Sequence, residues 1–317
     1  MVGGEKVSTD AIRRIIENIG EVIVGKPEVL ELAVVAVLCE GHILIEDVPG
    51  IGKTSLAKAL ARSLGCSFRR IQCTPDLLPS DITGIHFFNQ KRSEFEFRPG
   101  PVMSNIVLVD EINRATPRTQ SSLLECMQER QITVDGVTMP LPRPFLVIAT
   151  QNPVELHGTF PLPEAQLDRF LIKLEVGYPS AEQEDIMLLR FKQDNPLDSL
   201  PEVTSAEEII KLNQLAQEVH VEQSVRHYLL DIIRQTRSNA EIDLGASPRA
   251  SLALYRSTQA LALVSGRDYV IPDDVKRLAI PVIVHRLIAS TEAYLHNRSK
   301  ENLIENILAQ TPVPVEE

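Results

Sequence analysis

His42-Ile-Leu-Ile-Glu-Asp47-Val-Pro49-Gly50-Ile51-Gly52-Lys53-Thr54-Ser55 is the stretch from which the fold of this chain is read. It begins as a short apolar run, the mark of a buried strand. Pro49, Gly50 and Gly52 then turn the chain, and Ser55-Leu-Ala-Lys-Ala-Leu-Ala-Arg62 continues as a helix. A strand that turns through glycines into a helix, with Gly-Lys-Thr at the join, is the context of a phosphate-binding loop. The first N–H groups of a helix have no partner inside it and carry partial positive charge, so they attract anions. In this reading Pro49, Gly50, Ile51, Gly52, Lys53, Thr54 and Ser55 cradle a nucleotide's phosphates. Lys53 reaches the β- and γ-phosphates, and the Thr54 hydroxyl holds Mg²⁺. One position departs from the pattern. Five residues before Gly52 the motif has Gly, and this chain has Asp47. Asp tolerates left-handed backbone angles better than most residues, so the turn is still expected.

Length and composition bound the rest. A chain of 317 residues suggests two domains at roughly 150 residues each. Its 44% hydrophobic and 24% charged content is ordinary for a globular protein. No apolar run approaches the ~20 residues needed to span a bilayer. The opening Met1-Val-Gly-Gly-Glu-Lys6 has no apolar signal core, so a cytoplasmic location is expected. The net charge of −11 argues against a protein whose main task is holding duplex DNA, because neutralising phosphates takes basic surface. Cys39, Cys66, Cys73 and Cys126 show no Cys-x-x-Cys spacing and read as reduced packing residues.

Periodicity gives the order of elements. Residues 9–19 read as a helix with Thr9 as N-cap, and 27–40 as a second, apolar almost all round and so buried. After the loop helix, 67–73 alternate like a strand. Residues 84–98 read as an aromatic hairpin, 105–110 as a core strand, and 117–130 as a helix. Asp135-Gly136 signals a second tight hairpin. Residues 145–150 and 170–174 are further core strands. Strands alternating with helices imply a doubly wound parallel sheet. Beyond Pro179 no core strand is legible. The segments 181–192, 205–219, 224–238, 247–265, 272–289 and 300–309 read as helices, with 193–204 the clearest loop. The expected division is an α/β domain over 1–178 and a smaller all-helical domain over 179–317.

The candidate chemistry sits at strand ends. Ile106-Val-Leu-Val-Asp110-Glu111 places two carboxylates at the carboxyl edge of the sheet, beside the phosphate loop. Asp110 is expected to hold Mg²⁺ through its water shell, and Glu111 to polarise a water for attack on the γ-phosphate. Asn152, after the strand at 145–150, is placed to orient that water or contact the γ-phosphate, although Asn before Pro also favours a plain turn. Arg169 ends a short helix and Arg249 starts one in the second domain. Each has the fixed, charged fork that suits phosphate oxygens, and each is also readable as an ordinary surface arginine.

The order of these motifs resembles the AAA+ ATPases and, within them, the MoxR family. The resemblance runs from about residue 10 to 290. Its most specific strings are Asp110-Glu-Ile-Asn-Arg-Ala115, Gln120-Ser-Ser-Leu-Leu-Glu-Cys-Met-Gln-Glu129 and Gly158-Thr-Phe-Pro-Leu-Pro-Glu-Ala-Gln-Leu-Asp-Arg-Phe170. It implies a P-loop core with a parallel sheet, followed by a helical lid. Lys53 and Thr54 then match Walker A, Asp110 and Glu111 Walker B, and Asn152 sensor 1. Arg169 matches an arginine finger entering the neighbouring subunit's site, and Arg249 a sensor 2 acting within its own subunit. Val24 and Gly25 match the segment that packs on adenine. The hairpins near 85–98 and 131–144 match insertions facing a ring's central region. Arg114 follows Walker B in the family signature; a subunit contact and a helix-start salt bridge are both open.

The resemblance implies an ATP- and Mg²⁺-dependent hydrolase, a homo-oligomer, six subunits being the family expectation, that remodels or matures protein complexes. It carries over a protein client and a von Willebrand A-domain partner. Two rivals remain. A nucleic-acid-stimulated motor shares these motifs, but the net charge and the lack of a basic-aromatic stripe count against it. A non-hydrolysing scaffold is opposed by the complete set Asp110, Glu111, Asn152 and Arg169.

Overall fold

A computed structural model describes residues 2–152, 158–192 and 195–314, with the side chains of 2–8 excepted. Pro153, in the expected turn after Asn152, and Gln193–Asp194 of the expected loop lie outside the described residues. In chain order the first part comprises α1 (Val2–Gly20), α2 (Pro27–Leu38), β1 (Ile43–Glu46), α3 (Lys53–Ser63), β2 (Phe68–Gln72), α4 (Pro79–Thr83), β3 (Gly84–Asn89), β4 (Glu94–Pro99), β5 (Ile106–Asp110), α5 (Pro117–Glu129), β6 (Gln131–Val134), β7 (Val137–Pro140), β8 (Leu146–Gln151), α6 (Glu164–Leu167) and β9 (Ile172–Leu174). The second part comprises α7 (Ala181–Arg190), α8 (Pro196–Ser199), α9 (Ala206–Glu218), α10 (Gln223–Ser238), β10 (Ile242–Leu244), α11 (Pro248–Val264), α12 (Pro272–Ile283), β11 (Ile288–Ala289), α13 (Thr291–Leu295) and α14 (Lys300–Gln310).

Five parallel strands form one sheet in the order β2-β5-β8-β1-β9. Apolar runs such as Ile106–Val109 are buried throughout because helices cover both faces. Successive side chains still alternate. Ile43, Ile45, Ile106, Leu108, Leu146 and Ile148 face one way, into a cluster with α2 and α3. Leu44, Val107, Val109, Val147 and Ala149 face the other way, onto Leu123, Leu124 and Met127 of α5 and onto Phe145 and Phe170. The register pairs Glu46 with Gln151 and Gln72 with Asp110, so these strands end along one carboxyl edge. Ligands of open α/β sheets bind at that edge.

The helical part packs on α2 and on the sheet's β9 edge. α11 lies on α2, and α12 lies along the edge strand β9. Leu212, Leu254, Leu261, Leu278 and Ile304 therefore share one apolar cluster with Ile12, Val34 and Leu60. Covering β9 also removes an exposed sheet edge.

Three local expectations are corrected. Thr9 lies inside α1, which begins at Val2, and does not cap it. The expected helix over 272–289 ends at Ile283, two residues past Pro281, whose ring removes a backbone donor. A 3₁₀ turn over Val284–Arg286 follows, and Ile288–Ala289 pairs antiparallel with Ile242–Leu244. The helical lid thus carries a small two-stranded ribbon. The loop expected over 193–204 contains the short helix α8.

Candidate functional site

The phosphate loop joins β1 to α3. Gly50 and Gly52 have φ of 88° and 90°, left-handed angles that disfavour any side chain. Nothing lies within 4 Å of where a Cβ would stand at either glycine, so backbone angle and not crowding demands glycine. Gly52 occupies the N-cap of α3 with no side-chain cap, so the first N–H groups of α3 keep no capping side chain. Lys53 Nζ donates to the Asp47 carbonyl at 2.5 Å. Burial lowers the Lys53 pKa, and the nearby Asp47, Asp110 and Glu111 carboxylates oppose that shift.

Asp110 and Glu111 close β5 in the same cavity, of about 310 Å³, which is lined by Pro49, Gly50, Gly52, Lys53, Thr54, Asp110, Glu111 and Asn152. The sequence reading missed Arg70, Gln72, Thr150 and Gln151, which also line it. Thr150 Oγ1 donates to Asp110 Oδ1 at 2.6 Å and accepts from the Glu111 N–H at 2.9 Å. Arg70 Nη2 donates to Asp110 Oδ2 at 2.6 Å, and Gln72 Nε2 to Glu111 Oε2 at 2.8 Å. Arg114 Nε lies 3.4 Å from Glu111 Oε2, which is the salt-bridge reading of that residue. Glu111 itself has φ of 57° and ψ of 52°, an uncommon backbone for a non-glycine residue and one that clusters at functional sites. Arg70 and Gln72 lie two apart on one face of β2, and its pairing with β5 brings both to the site.

Thr54 and Asp110 offer a hydroxyl and a carboxylate to one cavity. Hard oxygen donors, few in number and beside a phosphate site, fit Mg²⁺, which keeps waters and takes substrate phosphates as its other ligands. Among the described residues no group of three or more His, Cys, Asp or Glu could hold a metal by itself.

A second cavity, of about 550 Å³, adjoins the first across Pro49, Gly50 and Gly52. Ile51 and Ser55 line this one, with Val22, Ile23, Val24, Lys26 and the segment Val176–Pro179. α7 supplies Glu184, Met187 and Leu188, with Phe191 just after it. Gly25 turns the 22–26 loop at φ 72° without lining the cavity. Its carbonyl accepts from Gln183 Nε2 at 2.9 Å.

Arg169 and Arg249 line neither cavity. They share a separate cleft with Met127 and Gln128. Arg169 Nε donates to Gln128 Oε1 at 3.0 Å, and Arg249 Nη1 lies 3.6 Å from Asp168 Oδ2. Arg249, expected at its own subunit's nucleotide, stands here beside Asp168 and away from both cavities. The Ser247 hydroxyl bond to Asp168 holds the start of α11 at this place. Asp168 also accepts from Ser247 Oγ at 3.0 Å and pairs with buried Arg286 at 3.2 Å. Burial pushes the Arg286 guanidinium down to about 10, opposed by Asp168, so it stays charged near neutrality. Arg286 Nη2 donates to the Phe170 carbonyl at 2.5 Å, and His285 Nε2 sits 3.0 Å from the same oxygen.

The two hairpins lie together. His86 Nδ1 is 2.8 Å from Asp135 Oδ2, and Phe87, Phe88 and Phe95 are exposed on the first hairpin. All four cysteines are free thiols with pKa pushed up, chiefly by burial. No helix among the described residues is long and apolar enough to cross a membrane.

Comparison with known proteins agrees with this geometry. Residues 42–172 match the model of the ATPase family associated with various cellular activities (AAA), and 234–307 match the AAA lid domain. Chaperone MoxR1 of Mycobacterium tuberculosis is 41% identical over 98% of this chain and 84% of its own length. Protein MoxR of Paracoccus denitrificans is 33% identical over 92% of this chain and 93% of its own length. A Bacillus subtilis protein of unassigned function, YeaC, is 50% identical over 95% and 94%. A crystal structure of a candidate ATPase from Cytophaga hutchinsonii superposes with a TM-score of 0.91 at 38% identity, covering 98% of this chain and 97% of that one. A parallel sheet, a helical lid and relatives aligned along nearly the whole chain lead to one assignment: the chain belongs to the MoxR family of AAA+ ATPases.

Proposed function

We propose that this protein hydrolyses ATP at sites shared between adjacent copies of itself, and that the resulting motion remodels protein clients. The observation that carries this reading is the separation of parts. Lys53, Thr54, Asp110, Glu111 and Asn152 line one cavity, whereas Arg169 and Arg249 share a cleft elsewhere. Phosphoryl transfer needs positioning and charge stabilisation more than covalent chemistry. A second copy that brings its Arg169–Arg249 cleft to the open cavity supplies the missing positive charge.

In this mechanism the backbone of Gly50–Gly52 and the Lys53 ammonium hold the phosphate chain. To do so Lys53 leaves the Asp47 carbonyl. Thr54 and Asp110 would hold Mg²⁺, which would supply charge neutralisation for the phosphates; Arg70, which now donates to Asp110, would have to release it. Glu111, oriented by Gln72, accepts the proton of the attacking water, and Asn152 positions that water. Val24 and the 176–179 wall enclose the base. Arg169 and Arg249 of the neighbouring subunit steady the charge that develops on the γ-phosphate. Residues 1–178 and 179–317 form the two bodies whose relative angle changes with nucleotide state.

A closed ring, of six subunits by family expectation, satisfies this head-to-tail contact. The name of the M. tuberculosis relative, a chaperone, supports a protein client. A von Willebrand A-domain partner and a cytoplasmic location belong to the same proposal. Steady-state ATPase measured against protein concentration tests it. Specific activity should rise steeply as subunits associate. Constant specific activity down to the monomer would remove the shared site.

A further inference from the structure

Asp47, the position that departs from the phosphate-loop pattern, makes contacts a glycine cannot make. Its Oδ1 accepts the N–H of Val48 at 2.8 Å. Its Oδ2 accepts the N–H of Val176 at 2.8 Å and of Gly177 at 2.6 Å. Gly177 holds φ at 65°, a left-handed turn within the segment that meets this oxygen. Val176, Gly177 and Tyr178 wall the 550 Å³ cavity, whose other side is the phosphate loop itself. One carboxylate thus spans from the start of the phosphate loop to the wall of the neighbouring cavity. Hydrogen bonds to a charged acceptor are shorter and roughly twice as strong as neutral ones, which suits a strut.

We propose that Asp47 is a positioning residue that fixes the base-facing wall to the phosphate-gripping loop, so that the site recognises a nucleotide's base and its phosphate chain as one unit. This rests on the nucleotide reading above. Val176 is buried, so without the carboxylate its N–H loses its partner away from water, and the wall detaches from the loop. Lys53 is affected differently. Its bond is to the backbone carbonyl of residue 47, which any substitution there retains. Phosphate grip and base grip are therefore separable at this position.

Calorimetric titration of the full chain with Mg–ADP and with Mg–tripolyphosphate reads the two grips apart. Asp47→Gly, which restores the common loop residue, should weaken ADP by about tenfold or more, ~1.4 kcal/mol. Its affinity for tripolyphosphate should hold or rise, because the substitution also removes a negative charge beside Lys53. Asp47→Asn should fall between, because its remaining carbonyl oxygen can accept from both Val176 and Gly177. The Asn variant keeps the side chain's shape and carries the test if the Gly variant does not fold. Equal losses for both ligands would overturn the assignment, since they would mean a general collapse of the loop. Wild-type affinity for ADP in both variants would overturn it alone, provided Lys53→Ala loses both ligands. A wild-type protein that binds neither ligand would overturn the nucleotide reading and this inference together.

Discussion

The Arg286 guanidinium lies 3.2 Å from the Asp168 carboxylate with 2% of its side chain exposed, and it also donates to the Phe170 carbonyl. Arg169 therefore stands between two residues held by the lid. Ser247 and Arg249, at the start of α11, hold Asp168 from the other side. These contacts tie the residues on either side of Arg169 to the lid.

If Arg169 acts as proposed, Arg286→Met should leave nucleotide affinity unchanged and lower turnover by at least about tenfold, because Arg286 touches Asp168 and Phe170 on either side of Arg169 and does not line the phosphate cavity. Removing one partner of a buried pair costs about 3–5 kcal/mol. Asp168 keeps Ser247 and Arg249, so the loss should fall at or below the lower end. Urea unfolding and ATPase assays on the same preparation read both effects.

Glu111→Gln should bind ATP with near wild-type affinity and turn it over about 10²–10⁴-fold more slowly, the usual weight of a general base. The amide keeps the size of the side chain and can still bond Gln72. Phosphate-release kinetics with excess ATP measures the loss, and wild-type turnover would remove Glu111 from its role.

His42 gives a pH prediction. Its Nε2 donates to the Met127 carbonyl and its Nδ1 accepts from the Val147 N–H, both at 3.0 Å, so the ring is held neutral. Burial lowers its pKa to about 4. The unfolded chain takes up this proton near pH 6.5 and the folded protein does not. Stability is thus full above about 6.5, falls as pH drops, and the loss is complete below about 4. The slope is about 1.4 kcal/mol per pH unit over that window. His285, also buried and also lowered, adds to it in the same direction. Urea midpoints between pH 7.5 and 4.5 should show the decline, and His42→Gln should lower its slope by about 1.4 kcal/mol per pH unit, leaving the His285 part.

The phosphate loop, the Asp110–Glu111 strand end and the alternation of strands with helices were legible because local pattern alone specifies them. Gly50 and Gly52 need glycine for their own backbone angles. Arg70 and Gln72 were not legible as site residues, since an arginine and a glutamine two apart look like the solvated face of any edge strand. They belong to the site only because β2 pairs with β5 in a register that sets Gln72 against Asp110. The placement of Arg249 depended on where the lid docks, a matter of packing between α11 and α2 and of the Ser247 bond to Asp168. Arg286 and His285 read as the tail of a helix, and the turn after Pro281 instead points them at residues 168–170.

If one active site draws on two subunits, two variants inactive alone should rescue each other when mixed. Lys53→Ala removes the phosphate grip and keeps the Arg169 face. Arg169→Ala does the reverse, and alone should lose about 10³–10⁵ in turnover. Mixed in equal amounts and allowed to assemble, about a quarter of sites in randomly ordered rings should pair an intact Lys53 with an intact neighbouring Arg169. The account predicts that ATPase activity returns to roughly that fraction of wild type. No recovery in rings shown by native mass spectrometry to contain both variants would contradict it.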